Sequence, residues 1–379
     1  MSVRSRAPRV ALVQTQAENA GAQQISRLVA ADLAARGYEV RQVFFFRRTA
    51  AFDAGRDVDF CAAQRPSGPF GLARLLYRLY RVLRDFGPDV VVTFQHYGNI
   101  LGAPLARIAG VRSVIANQNS SGAMISRWVS AADRLLGRLG AYDRIIVNSD
   151  ATAAAFARHP ARYRDLILRI DHGFEDKTVG IGKREARAEL GLPQGVPLLG
   201  CAARLHPLKQ VDAAIAILPL LRDVHLALAG QGQDRSRLEG VARDLGVADR
   251  VHFLGELTPR GIGVFLAALD CFVFPSGAET FGLAPVEAAQ VGLPVVANDL
   301  GVLREVLRVD GAPCAIFVDA RDAPAFAEAV GRVLGDRALA AALGAVGRRL
   351  KGRYPLSAMT EGYARLVRLL LAARHAHRH

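Results

Sequence analysis

Apolar residues in this chain fall either into short continuous runs or into longer stretches where they recur every three or four positions. Residues 9–14 (RVALVQ) read as a strand, and 22–36 carry helical spacing until Gly37 stops it. Residues 40–46 form the next strand-like run. A helix follows at 72–86, Gly87-Pro88 breaks it, and 89–94 (DVVVTF) is apolar enough for a strand buried on both faces. Residues 113–116 and 144–148 continue the series, with helical segments between them. Strand–helix alternation of this kind predicts a parallel sheet covered on both faces.

Residues 173–195 interrupt the rhythm. They are charged, contain Gly and Pro, and hold one short helical stretch at 183–190, so they read as a linker and the entry into a second domain. Alternation then restarts, with strands at 198–202, 224–229, 251–253, 271–274, 294–297 and 315–318. The expected fold is α/β, with two Rossmann-like, doubly wound domains facing each other across a cleft: residues 1–172 and residues 173–356. An amphipathic helix at 357–374 is expected to pack back on the first. A length of 379 residues suits two domains. Ligands of such sheets sit outside the carboxyl ends of the strands, which makes the cleft the expected site.

Composition narrows the setting. No apolar run approaches the ~18–20 residues that span a bilayer. The apolar stretch 10–13 after the basic start is too short for a signal-peptide core, so a cytoplasmic protein is expected. Cys61, Cys201, Cys271 and Cys314 form no Cys-x-x-Cys pair, which argues against a zinc or redox site; Cys201 and Cys271 lie in strand-like runs and read as small core residues. In the polar tail, His375 and His377 are either metal ligands or simply solvated.

The net charge of +14 is unevenly spread. Residues 1–170 hold 24 arginines, no lysine and 12 acidic residues, a balance of +12. Such asymmetry suits a membrane surface, an acidic acceptor or nucleic acid, or reflects only an arginine-rich genome. The reading taken is an anionic membrane on the inner face, and no nucleic acid. Its proposed contact is the helix at 72–86, where Arg74, Arg78, Arg81 and Arg84 line one stripe. Leu72, Leu75, Leu76, Leu79, Val82, Leu83 and Phe86 supply apolar surface, and Tyr77 and Tyr80 the boundary. A helix covering a sheet, with solvated arginines outward, fits the same pattern.

The chemistry concentrates in the second half. Residues 275–287 read PSGAETFGLAPVE and follow the apolar run 271–274, at its carboxyl end. Gly282 permits a tight turn, and a helix then starts near Ala284 with Pro285 in its first turn. The free N–H groups of a helix start suit a phosphate. Glu279 and Glu287 frame that turn, and a carboxylate accepts paired hydrogen bonds from vicinal hydroxyls. Two carboxylates around an anion-binding turn therefore suit a diphosphate with hydroxyls at both ends, which is a nucleotide sugar. Taken singly, Glu279 reads as a loop residue and Glu287 as a solvated helix charge.

Further pieces recur past other strands. Arg204 and Lys209 follow the run 198–202 and can clamp a diphosphate, Arg as a fork and Lys as a point charge. Gly230 and Gly232 follow 224–229 and allow backbone approach. Phe253-Leu254-Gly255 ends the next strand, where it would hold a base edge or only turn the chain.

In this order the residues resemble the retaining glycosyltransferases of family 4, which have the GT-B fold. The resemblance runs from about Gly200 to Glu305, and its specific part is Glu279-x7-Glu287 with Phe281-Gly282. It implies that Glu287 binds ribose hydroxyls and that Glu279 lies near the transferred sugar. It implies that Phe281, Gly282 and Leu283 present backbone to sugar and phosphates, and that Arg204 and Lys209 neutralise the departing diphosphate. It implies no bound metal and no cofactor, and there is no Asp-x-Asp set after a strand. In the first half, the loop Glu18-Asn19-Ala20-Gly21-Ala22-Gln23 is similar to the family's Gly-rich loop in reduced form, and equally to a plain turn. Where the family often has a histidine, this chain has Asn119, with His96 the nearest alternative as base or orienting group. His172 stands where the family's interdomain turn has Asn.

The expected activity is transfer of a sugar from a nucleotide diphosphate sugar to a hydroxyl of a lipid-linked or polysaccharide acceptor. Retention of anomeric configuration and a place in cell-surface polysaccharide or glycolipid synthesis follow from the resemblance. A sugar-nucleotide epimerase on the same fold, or a non-catalytic sugar-nucleotide-binding protein, are the rival readings.

Overall fold

The computed structural model describes residues 6–18, 20–50, 52–119 and 125–376, with side chains to residue 373. Asn19 and the tail pair His375 and His377 therefore lie outside the described residues or side chains. The chain forms two compact units, one of Met1–Gly173 with Leu356–His379, the other of Phe174–Pro355.

The first unit is built on a seven-stranded parallel sheet: β1 (Arg9–Ala17), β2 (Glu39–Arg47), β3 (Val58–Ala62), β4 (Val90–Phe94), β5 (Ser113–Asn117), β6 (Arg144–Val147) and β7 (Ile167–Arg169), in the order β3-β2-β1-β4-β5-β6-β7. β4 and β5 are buried at every residue, which is why their middles are apolar and their few polar residues, Thr93, Ser113 and Asn117, are buried too. The edge strands β3 and β7 are missing from the expected pattern. They are short and half-exposed, so neither needs a continuous apolar run. Helices α1 (Gly21–Ala35), α2 (Gly68–Phe86) and α3 (Arg127–Leu139) belong to this unit.

The structure corrects the membrane reading of α2. Its Leu75, Leu79, Leu83 and Phe86 are buried with Val43, Val91 and Val114 of the sheet, and Leu76 and Val82 pack against the same cluster. Burying four such side chains is worth about 1.5–3 kcal/mol each. An arginine near an acidic leaflet contributes on the order of 1 kcal/mol. The apolar face therefore belongs to the sheet and is not available to lipid. Arg74, Arg78, Arg81 and Arg84 point outward; Arg78 donates to the Cys61 carbonyl (3.1 Å) and Arg81 pairs with Asp85 (3.4 Å).

The helix Leu356–Ala376 completes the first unit. The Asn117 amide donates to the Tyr363 hydroxyl, Arg36 pairs with Glu361 at 2.6 Å, and Gly362 packs on Ile170.

The second unit repeats the plan with six parallel strands: β8 (Leu198–Ala202), β9 (His225–Ala229), β10 (Val251–Gly255), β11 (Cys271–Phe274), β12 (Val295–Asn298) and, after the small hairpin β13 (Arg308–Val309) and β14 (Ala312–Pro313), β15 (Ala315–Val318). The order is β10-β9-β8-β11-β12-β15, so the direction of progression reverses between β8 and β11. α4 (Leu283–Gln290) follows β11, and α5 (Arg337–Arg348) packs on it so closely that a Cβ at Gly344 or Gly347 would collide with the carbonyl of Gly292 or Ala289. Cys201 and Cys271 are buried in β8 and β11 as small core residues, and Cys61 and Cys314 are buried too.

Candidate functional site

The loops that leave the carboxyl ends of the second sheet are stitched together by main-chain bonds. Ala203 and Leu205, after β8, donate to Ala229 and Gln231 at the end of β9 (3.0 and 3.1 Å). Gly230 donates to Gly255 at the end of β10 (2.6 Å). Gly277, after β11, donates to Leu208 (2.9 Å), and the Asn298 amide of β12 donates to the Ser276 carbonyl (3.0 Å). The result is a continuous rim across the reversal point between β8 and β11, where open α/β sheets bind ligands.

Gly230 and Gly232 owe their identity to this stitching. A Cβ at Gly230 would collide with the Ala203 carbonyl, and one at Gly232 with that of Leu205, so the glycines bring loop against loop. Leu254 interrupts the β10 ladder. Phe253 pairs with Leu228 and Gly255 with Ala229, which leaves Leu254 as the extra residue of a bulge with its main chain out of register.

Charge meets at the centre of the rim. Lys209 closes the short 3-10 turn Pro207–Lys209 after β8, and its Nζ lies 2.5 Å from Glu279 Oε1 in the loop after β11. Both side chains are largely shielded, at 23% and 11% exposure. Lys209 Nζ also lies 6.0 Å from the centre of the Phe274 ring. Arg204 sits in the same stretch, half-buried between the two residues bonded to the β9 loop.

α4 begins immediately after Gly282, whose backbone is left-handed (φ 91°, ψ 68°). A side chain there would be strained and would crowd Leu303. Phe281 is 1% exposed, and its ring packs edge-on against Tyr354 (5.2 Å) and near Phe174 (6.0 Å). Its side chain thus anchors the loop in the core of the second unit. From Pro285 to Gln290 every residue of α4 is buried, including Glu287 at 7% exposure. A carboxylate taken out of water in an apolar helix needs a partner to offset its desolvation, and such groups cluster at functional sites. Glu287 lies about one turn into α4, and the Cα–Cβ bonds of a helix tilt toward its amino end. Glu305 is half-buried in the helix Gly301–Val306 after β12.

The first unit places its candidates at the ends of three neighbouring strands. Gly21 opens α1 after β1, with Ala20 as a cap that makes no side-chain bond. Glu18, in the same turn, is buried, accepts from the Gln16 amide (2.5 Å) and pairs with Arg48 (3.3 Å). Gln95, after β4, has a left-handed backbone (φ 64°), and its N–H donates to Asn119 Oδ1 (2.9 Å) after β5. His96 follows, its ring tilted against Tyr97 with centres 4.3 Å apart, and burial pushes its pKa down so that the ring is neutral at pH 7. Asn119 is thus tied to the residue that precedes His96, through the Gln95 main chain. Two residues of this cluster, Gln95 and Asn99, carry no sequence signal. Asn99 is fully buried, bonded to Thr93 (2.7 Å) and to the Asn117 carbonyl (3.2 Å), and looks in sequence like any loop asparagine. His172 is buried and bonded to Asn148 (2.8 Å). Among the described residues, no group of three or more His, Cys, Asp or Glu is placed to hold a metal ion.

Two family models match the chain: the model described as glycosyl transferases group 1 over residues 182–350, and that of glycosyltransferase family 4 over residues 20–167. The chain is 34% identical over 207 residues to a D-inositol 3-phosphate glycosyltransferase of Nocardia farcinica, covering 52% of this chain and 46% of that one. It is 33% identical over 217 residues to the lipopolysaccharide core biosynthesis mannosyltransferase LpsB of Rhizobium meliloti, covering 54% and 59%. The chain spans about half the length of the curated relatives it matches. In fold it is similar to the Anabaena protein HepE, solved in complex with UDP-glucose, with a TM-score of 0.80 over 94% of this chain and 99% of that one at 21% identity. Two parallel α/β sheets with this likeness identify the GT-B fold.

Proposed function

The chain belongs to the family 4 glycosyltransferases, and from that premise we propose that it moves a sugar from a nucleotide diphosphate sugar to an acceptor hydroxyl, with retention, in the synthesis of a cell-surface polysaccharide or glycolipid. The observation that carries the reading is the rim of the second sheet, where Lys209 and Glu279 meet at the reversal point beside α4 and its buried Glu287. On this reading Glu287 takes the ribose hydroxyls and Leu254 the base edge. The main chain of Gly232, Phe281, Gly282 and Leu283 lies along phosphates and sugar, and Glu279 serves the sugar hydroxyls. Arg204 and Lys209 stabilise the negative charge that grows on the departing diphosphate. Gly21, His96 and Asn119 serve the reacting side, with neutral His96 able to accept or orient a hydroxyl proton. The HepE complex with UDP-glucose and the name of LpsB support a nucleotide-sugar donor and a glycolipid acceptor. The test is incubation with radiolabelled uridine, guanosine and adenosine diphosphate sugars. Slow release of free sugar, accelerated by a lipid-linked acceptor, is expected. An isomerised sugar nucleotide, or binding without turnover, would overturn the reading in favour of an epimerase or a binding protein.

We propose further a peripheral station on the inner face of a membrane, with α3 in place of α2 as the contact. Among the described residues no helix is long and apolar enough to cross a membrane. α3, however, turns Trp128 (86% exposed), Leu135 and Leu139 outward beside exposed Arg127, Arg134 and Arg138. An apolar stripe edged with cations suits an acidic lipid surface. Co-sedimentation with vesicles containing anionic lipid is expected, with loss on Trp128→Ser together with Arg134→Gln and Arg138→Gln. Equal binding to neutral vesicles would sink this part.

A further inference from the structure

We infer that the Lys209–Glu279 pair is a charge-exchange latch: Glu279 occupies Lys209 in the resting protein, and a nucleoside diphosphate takes Lys209 over, releasing Glu279 toward the transferred sugar. The inference rests on the donor-site reading above and adds to it an order of events. Lys209 comes from the turn after β8 and Glu279 from the loop after β11, so their 2.5 Å contact bridges the reversal point of the sheet. The two loops do not depend on the pair to stay together, because Gly277 donates to the Leu208 carbonyl at 2.9 Å. The side chains can therefore exchange partners while the rim holds its shape. Lysine suits this task. Its ammonium is a point charge on a flexible four-carbon stem and can swing from one anion to another, which a bidentate arginine pair resists.

Charge sets the direction of exchange. A diphosphate carries more negative charge than a carboxylate, and it arrives at the amino end of α4, where a helix leaves N–H groups without partners inside the helix. A ligand with a single phosphate has less to offer Lys209 and displaces Glu279 poorly. Glu279 thus lowers the affinity of the site for any phosphate ligand that must take Lys209 over. Once Lys209 has turned to the diphosphate, the Glu279 carboxylate is left without its cation beside the position of the sugar, where hydroxyls can satisfy it. Donor capture and readiness of the sugar-facing carboxylate then become a single event.

The experiment uses nucleoside diphosphates without sugar, so that any direct contact between Glu279 and sugar drops out. Calorimetry measures uridine, guanosine and adenosine diphosphate binding to the parent, then the tightest of the three, with its monophosphate, to Glu279→Gln, Lys209→Met and the double variant; thermal melting confirms folding, and Glu279→Ala serves as a second probe. Removal of a partly shielded ion pair predicts diphosphate binding about three- to tenfold tighter in Glu279→Gln. The gain should be absent in the Lys209→Met background, because it acts through Lys209. Unchanged or weaker diphosphate binding in folded Glu279→Gln and Glu279→Ala overturns the latch and leaves the donor site standing. Absence of binding by the parent to all three diphosphates overturns the donor site and the latch with it.

Discussion

The two sheets share a strand order at their centres yet carry different chemistry at their carboxyl ends. In the second unit the reversal point is bridged by an ion pair, Lys209–Glu279, with a buried carboxylate, Glu287, close behind in α4. At the matching end of the first sheet the groups are amides: Asn99, Asn117 and Asn119 bond to Thr93, Tyr363 and the Gln95 main chain. The charged residue there, Glu18, is already paired with Arg48. A backbone plan fixes where a ligand sits, and the loops decide what it is. Mobile cation and carboxylate suit a ligand that arrives and leaves with charge, whereas a fixed amide network suits hydroxyls.

Four substitutions would break or sharpen this contrast. The largest effect is expected for Phe281→Ala. It removes an edge-on ring contact from the core of the second unit and should destabilise that unit by about 3–5 kcal/mol, with hydrogen exchange in the first unit unchanged. Uniform loss of protection across both units would show that the anchor is not local. Lys209→Met comes next. Loss of a cation that acts on the leaving group should lower kcat about a hundredfold, read as label transfer. A fall confined to KM would make Lys209 a binding group only. Glu287→Ala should weaken donor binding by about 1–3 kcal/mol in calorimetry, the range for hydrogen-bond partners left unpaired. Unchanged affinity removes the ribose assignment.

The last effect, at most ~1.4 kcal/mol for each pH unit, is on pH dependence and belongs to the first unit. Burial pushes the His172 pKa down to about 3. The unfolded chain, with His near 6.5, binds a proton below that pH while the folded one does not. Stability is therefore complete above about pH 6.5 and falls by up to ~1.4 kcal/mol per pH unit toward pH 3. Denaturation of His172→Gln across that range should show a flatter slope in the first unit. An unchanged slope would mean that His172 is not the group responsible.

Much of this architecture was legible in the sequence because it rests on strong local signals. β4 is apolar at almost every position, β5 is apolar through its middle, β8 carries no polar side chain but Cys201, and Gly37 and Gly87 mark helix ends by type. The loop from Glu279 to Glu287 carries a spacing that few other uses require. Other features leave no such mark. The membrane reading of α2 failed because arginines at helical spacing look alike on a lipid-facing helix and on one whose apolar side covers a sheet; only the partners of Leu75, Leu79 and Leu83 decide. Gly230 and Gly232 read as room for a ligand to approach; that they also meet the Ala203 and Leu205 carbonyls is a long-range contact that no local pattern encodes. Gln95 adopts a left-handed backbone with nothing in its type to announce it.

The helix Leu356–Ala376 has a consequence for the timing of synthesis. It supplies the Tyr363 hydroxyl to Asn117 and the packing on Ile170, so the first unit lacks part of its interior until that helix exists. The second unit, by contrast, is contiguous from Phe174 to Pro355. At about 5–20 residues per second, a ribosome takes on the order of ten to forty seconds to travel from Gly173 to Leu356. Through that interval the half of the protein made first waits unfinished, and the half made second can close ahead of it.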